Sequence, residues 1–195
     1  MRVLRFARRN LAVILLLNIG CANAQWVLDP EQSSLSFVSI KAQNVAEVHQ
    51  FRQLSGSLNG AGSVRVEVAL DSVDTGIEIR DERMRSMLFD TQDHPVALVE
   101  VQLPEAMDLE VGQSAIYQVP VTLTLGLQTA SAVATAKVSR YEDGQFEAIS
   151  IQPVLLSTTL LGLDRGVEAL REVAGLSSIS SAVPVTFAVS FVKAD

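Results

Sequence analysis

The chain has 195 residues, 48% of them hydrophobic and 5% aromatic, with 15 basic residues, 22 acids and one cysteine. All 22 acids lie beyond residue 24, against eleven basic residues there, so that part of the chain carries a net charge of −11. Such a balance repels phosphate backbones and argues against docking on anionic membrane surfaces, and the absence of cysteine after Cys21 excludes disulfides, thiol catalysis and cysteine-ligated metal.

The first segment reads as a secretory signal. Arg2, Arg5, Arg8 and Arg9 precede the apolar run Leu11 to Leu17, and Ala22-Asn23-Ala24 supplies small residues around a polar one. This is the order of basic region, short apolar core and A-x-A cleavage site. The apolar run is too short for a bilayer, which needs about 20 residues. The expectation is therefore export to the periplasm with cleavage after Ala24 and no stable membrane insertion. Lipidation at Cys21 is the rival; Gly20 suits it, but Asn18 stands where an aliphatic residue is wanted.

Residues 25–195 are enough for one domain with a sizeable core. Period-two alternation of apolar and polar residues, the sign of half-buried strands, dominates them. Ser33 to Ile40 carries Leu35 and Phe37. Val45 to Leu58 reads as one long strand, bent near Ser55-Gly56, since glycine inside a strand often marks a bend. Val64 to Leu70 alternates next. Ile79 to Phe89 switches to helical spacing, with Ile79, Arg83 and Met87 in line and Met84 and Leu88 beside them. Its dense charges suggest i, i+4 pairs such as Asp81 with Arg85.

Ala97 to Leu103 returns to strand. Ala115 to Leu125, the turn Leu125-Gly126-Leu127-Gln128, and Thr129 to Val138 form a long hairpin. Its second arm offers alanines at 130, 132, 134 and 136. A strand from Phe146 to Ile151 follows the turn Glu142-Asp143-Gly144. Asp164 to Val173 reads as a second helix, with Val167, Leu170 and Val173 on one face and Gly175 as its stop. Val183 to Phe191 is the last strand. The fold class is all-β: eight antiparallel strands closed into a barrel, with one or two short helices.

An eight-stranded barrel is either filled by side chains or holds one small ligand. The alanine face leaves room unless Tyr117, Phe146 and Phe187 fill it from across the barrel, and alternation alone leaves both readings open. Glu47, His49 and Phe51 share one face of their strand. Inward, they would bring a carboxylate and an imidazole to a cavity; outward, they are a solvated rim, which is where charged residues usually stand. His94 lies in a loop far from His49, and no metal spacing appears. No G-x-S-x-G is present and no Ser-His-acid order stands out, so catalytic residues are absent and the expectation is a protein that is not an enzyme.

From Trp26 to Phe191 the chain resembles the YceI-like family of periplasmic isoprenoid-binding proteins. Six motifs in order carry the likeness. They are Trp26-Val27-Leu28-Asp29-Pro30 with Ser33-Ser34-Leu35-Ser36-Phe37; Phe51 to Gly56, with Leu54 for a second aromatic; Val73-Asp74-Thr75-Gly76 leading to Arg80-Asp81; Met84-Arg85-Ser86 with Leu88-Phe89-Asp90; Pro95; and Gly126. Glu47-Val48-His49-Gln50 and the segment Leu160 to Ser181 depart from it. The resemblance implies an extended lipocalin-like barrel with a long hydrophobic tunnel, holding an isoprenoid, quinone-like or fatty-acid-derived lipid for storage or transport. The expected ligand-binding set is Phe37, His49, Phe51, Tyr117, Leu123, Ala132, Ala134, Phe146 and Phe187, taking the cavity reading of the strand faces. Arg80 and Asp81 are then a fixed pair bracing the helix at the mouth, anchored separately, Arg80 on an acid such as Asp74 and Asp81 on an arginine. No cofactor is implied beyond the bound lipid, and a homodimer is left open. The alternative is an envelope stress or interaction protein, in which a filled barrel carries a surface site for a partner.

Overall fold

The structure is a computed structural model that describes residues 24–104, 109–142 and 144–194. The expected leader through Asn23, with Cys21, lies outside the described residues, as does Asp143 of the expected turn.

Twelve strands build one sheet. They are β1 (Ala24–Leu28), β2 (Ser34–Lys41), β3 (Val45–Phe51), β4 (Leu54–Asn59), β5 (Ser63–Ala69), β6 (Val73–Asp74), β7 (Val96–Gln102), β8 (Ser114–Leu125), β9 (Gln128–Arg140), β10 (Phe146–Ser150), β11 (Val154–Ser157) and β12 (Ala182–Lys193). Eight of them close a ring in the order β1-β4-β5-β7-β8-β9-β10-β12, with β12 pairing back to β1. The other four extend the staves of that barrel. Along one edge of β12 lie β10 and then β11; along the other lie β1 and then β2. β4 continues β3 in the same way, the first paired to β1 and the second to β2. Closure satisfies the backbone groups that an open edge would leave unpaired.

The alternation read from the sequence sets the inner face. In the β8–β9 hairpin Tyr117 pairs with Ala136, Val119 with Ala134, Val121 with Ala132 and Leu123 with Ala130. All eight turn inward, while Lys137 and Gln118 on the intervening positions are exposed. The hairpin turns through Gly126 and Leu127. Gly126 holds φ +56°, and the His94 ring lies 3.2 Å from where a Cβ would stand.

Three details differ from the sequence reading. The long second strand breaks at Arg52-Gln53, between β3 and β4, and not at Gly56. Gly56 pairs with Val66 inside β4, and a Cβ there would meet the Arg65 carbonyl at 2.6 Å; the glycine admits a close strand and makes no bend. Ala24–Leu28 form strand β1, and β11 is a separate short strand after Pro153.

The helix from Glu78 is α-helical only to Arg83 (α1) and continues as a π-helical turn, Met84–Phe89. The wider turn shifts the register, so the buried side is Asp81, Met84 and Phe89, while Ile79 is 52% exposed and Met87 also faces out. The i, i+4, i+8 stripe expected from Ile79 fails because it assumed 3.6 residues per turn throughout. The second helix, α2, spans Asp164–Val173 as expected and stops before Gly175 at φ +63°. Its Val167 and Leu170 face the protein, but Val173 is exposed. Gly166 lies against the π-turn, where a Cβ would come 2.7 Å from the Met87 carbonyl and 2.8 Å from Leu88 Cα. The two helical segments therefore touch backbone to backbone over one end of the barrel.

Candidate functional site: a carbon-lined tunnel

The barrel is not filled. A lower chamber of about 190 Å³ is lined by Tyr117, Val119, Val121, Ala132, Ala134, Phe146, Phe187 and neighbouring valines and leucines from β4, β5, β7 and β12. An upper chamber of about 170 Å³ is lined by Phe37, Phe51, Leu70, Leu125 and, from the helical end, Leu88, Phe89, Leu161 and Leu163. Leu35, Val68, Val99, Leu123, Leu156 and Val185 belong to both walls, so the two chambers adjoin along the barrel. The surface they present is carbon. Glu147 borders the lower chamber, but its carboxylate accepts a hydrogen bond from the Tyr141 hydroxyl on the outside.

The room comes from side-chain size. Three alanines on β9, Ala132, Ala134 and Ala136, stand on the wall where leucine or phenylalanine would take up volume, and the aromatics of the chamber line the void without filling it. Tyr117 and Thr158 carry hydroxyls, but the surface exposed to the void is carbon, which favours hydrocarbon and penalises a polar atom brought into it without a partner by about 2–7 kcal/mol.

Of the sequence-derived set, Tyr117, Ala132, Ala134, Phe146 and Phe187 stand on the lower chamber, Phe37 and Phe51 on the upper, and Leu123 on both. His49 is not on either wall. It packs beside Phe37 with ring centroids 5.2 Å apart, and Phe37 in turn lies 5.4 Å from Phe51. The solvated-rim reading is corrected here, because His49 is only 3% exposed. Its Nε2 hydrogen-bonds to Ser39 Oγ at 2.8 Å, and its Nδ1 is buried without a partner. Burial pushes the imidazole below its ordinary pKa, and the nearby Arg80 charge acts in the same direction.

Glu47 is half-buried between two cations, with Lys41 Nζ and Arg80 Nη1 each 2.7 Å from its Oε2. The hydrogen bond from Lys41, with the charges of Arg80 and Lys41, holds its carboxyl below the usual range against the opposing effect of burial. Arg80 also donates to the Thr75 carbonyl at 2.7 Å. Asp81 accepts from the Thr75 amide at 2.8 Å and from its hydroxyl. Arg80 and Asp81 are thus separate anchors of α1, but their expected partners are corrected. Arg80 binds Glu47 and not Asp74, which holds Arg52 and Gln50 instead. Asp81 takes Thr75 and no arginine, and it turns inward to do so instead of pairing with Arg85. Among the described residues no three His, Cys, Asp or Glu side chains gather where they could hold a metal ion.

Sequence reasoning missed the helical contribution, Leu88, Phe89, Leu161 and Leu163, which closes the upper chamber. The π-turn and the irregular segment before α2 give no simple periodicity to find them by.

A YceI-like domain model matches residues 26–191, nearly the whole described chain. The chain belongs to the YceI-like family. The YceI-like barrel is similar to a solved polyisoprenoid binding domain from Saccharophagus degradans implicated in plant cell wall breakdown. Identity is 34% and TM-score 0.83, over 88% of this chain and all of that one. It shares its fold with BcnA of Burkholderia cenocepacia at 17% identity and TM-score 0.64, covering 84% and 98% of the two chains. A Campylobacter jejuni YceI protein follows at 16% identity and TM-score 0.51, covering 73% and 82%. None of the curated protein sequences matches the chain.

Proposed function

We propose that this YceI-like protein is an exported carrier that holds one long apolar chain, of isoprenoid type, in its barrel tunnel for storage or transport. The observation that carries the reading is the pair of adjoining chambers inside the barrel, whose exposed surface is carbon. Such a wall selects length and apolarity. The isoprenoid class is supported by the 34% identical relative described as a polyisoprenoid binding domain. Periplasmic placement rests on the basic, apolar and A-x-A order of residues 1–24.

Native mass spectrometry and organic extraction of the purified protein test the reading. A co-purified long-chain lipid supports it. An empty protein that also takes up no isoprenoid on exposure overturns it in favour of a scaffold. N-terminal analysis of the exported protein is expected to start at Gln25, and a lipid-modified start at Cys21 overturns the cleavage site.

A further inference from the structure

Resting on that carrier reading, we infer that the polar head of the bound amphiphile seats at the β2–β3 end of the tunnel, on the Ser39–His49–Arg80 cluster, and that the head presents an oxygen acceptor. A carbon wall cannot hold a polar group, so the head must leave the chambers at one end. Only a graded surface lets a tail stay inside while a head meets partners. The paired inner positions of β2 and β3 form such a gradient. Leu35 faces Phe51, Phe37 faces His49, and Ser39 faces Glu47. Lys41 follows on β2, its amine on Glu47.

This polar step is not a solvated rim. His49 is nearly fully buried, and Lys41, Glu47 and Arg80 keep only about a quarter to a third of their side chains exposed, at 26%, 32% and 24%. Two buried polar atoms in it lack partners, His49 Nδ1 and Arg80 Nε. An orphaned buried donor costs about 1–3 kcal/mol, so its presence calls for a missing group. Arginine can only donate, which makes that group an acceptor. If Ser39 donates to His49 Nε2, the imidazole carries its proton on Nδ1 and becomes a second donor. Lys41 and Arg80 converge on the carboxylate of Glu47, with the buried Asp81 completing the charge balance, and an anionic oxygen would make a stronger, charge-assisted bond to Arg80 Nε than a neutral one.

The rival seat is the opposite end, where Arg140 lies 5.4 Å over the Phe146 ring. Its Nε is also unpartnered, but no polar gradient leads to it and a Leu109 carbonyl accepts from its Nη1.

The test compares three 20-carbon isoprenoids on lipid-stripped protein: geranylgeranyl phosphate, geranylgeraniol, and the same chain ending in hydrogen. The expected order of affinity is phosphate, alcohol, hydrocarbon, with the first at least tenfold tighter than the last. Arg80→Met is expected to reduce that ratio below threefold while hydrocarbon binding stays the same. His49→Phe keeps the packing on Phe37 and serves if Arg80→Met fails to fold; it is expected to weaken both oxygen-headed chains alone. Arg140→Met is expected to leave the ratio intact. A ratio unchanged in Arg80→Met and His49→Phe, or one that collapses in Arg140→Met, overturns the seat while the tunnel stands. A protein that binds none of the three overturns the carrier reading itself, and the seat with it.

Discussion

Enlarging the alanine face separates a true void from a packed core, and two neighbouring alanines give opposite expectations. Ala132 is half-buried because its methyl group faces the lower chamber, whereas Ala134 is only 1% exposed and packs with Val119 and Val154. A cavity of about 150 Å³ lined by leucine, isoleucine and phenylalanine accommodates a benzene ring. The phenyl ring of Ala132→Phe would therefore occupy most of a chamber of about 190 Å³. Burying it gains about 1.5–3 kcal/mol, which offsets the ~1–3 kcal/mol of local repacking. The net lies between about −1.5 and +2 kcal/mol, so the expected shift in thermal unfolding of stripped protein is centred near zero and within about 8 °C. Ala134 borders the chamber but its methyl group packs on Val119 and Val154, so Ala134→Leu must displace them and is expected to lose about 1–3 kcal/mol, or roughly 2–12 °C. Thermal unfolding and titration with geranylgeraniol measure both effects. Ala132→Phe should lower affinity at least tenfold at near-native stability. If it melts as far below the parent as Ala134→Leu does and still binds the lipid, the assignment of the void is wrong.

Gly166→Ala places a Cβ within 2.7–2.8 Å of π-turn backbone and should destabilise the protein in urea unfolding, although alanine favours a helix interior by about 1 kcal/mol over glycine; a stabilised variant would refute the close helix contact. Asp81→Ala strips the Thr75 amide and hydroxyl of their acceptor in a buried site and should cost about 1–3 kcal/mol. Because Arg80 also holds Thr75, the double variant with Arg80→Ala should lose less than the sum of the single losses, and strict additivity in unfolding experiments would argue against the shared residue. The depressed pKa of His49 means the unfolded chain takes up its proton first, so stability is full above the ordinary imidazole value of 6.5 and falls as pH drops below it. Depressed Glu47 adds a loss in the same direction at lower pH, as its carboxylate titrates beside Lys41 and Arg80. Unfolding temperature measured from pH 7.5 to 5 should therefore fall less steeply in His49→Phe, and equal slopes would refute the role of His49.

Period-two alternation made most of the barrel legible, because a one-residue slip would turn a whole inner face outward and the apolar set fixes which face that is. The β8–β9 hairpin was readable to within a residue or two for this reason, and with it the alanine face. What alternation cannot express is interruption. Val45 to Leu58 looked continuous because Arg52-Gln53 keeps the polar spacing while the backbone leaves one paired edge for another. Gly56 drew attention as a bend, although its reason lay on the neighbouring strand. The π-turn was illegible for a similar reason, since the sequence fixes no residues-per-turn count. The orientation of His49 stays open in the sequence because polarity alone points outward. The aromatic ring that shields it, Phe37, sits directly across the strand pair, and that contact needs the register of β2 on β3.

An empty carbon-lined tunnel is costly in a folded protein, since unfilled volume forfeits dispersion contacts at about 24 cal/mol per Å³. The strands could have closed it with larger residues at Ala132, Ala134 and Ala136, each paired with a bulkier residue on β8. The same chain packs tightly elsewhere, and Gly56 and Gly166 let backbones approach closer than any side chain would permit. Small residues thus have two different effects here. At Gly56 and Gly166 they bring segments together and fix the wall and the helical closure; at Ala132, Ala134 and Ala136 they leave the lower chamber its volume. A wall that is tight and an interior that is loose belong to a container, whose stability rises with occupancy because a ligand that binds only the folded state stabilises it by mass action. The void is then a cost borne only by the unloaded protein, and filling it with an apolar chain restores the contacts that the alanines leave unmade.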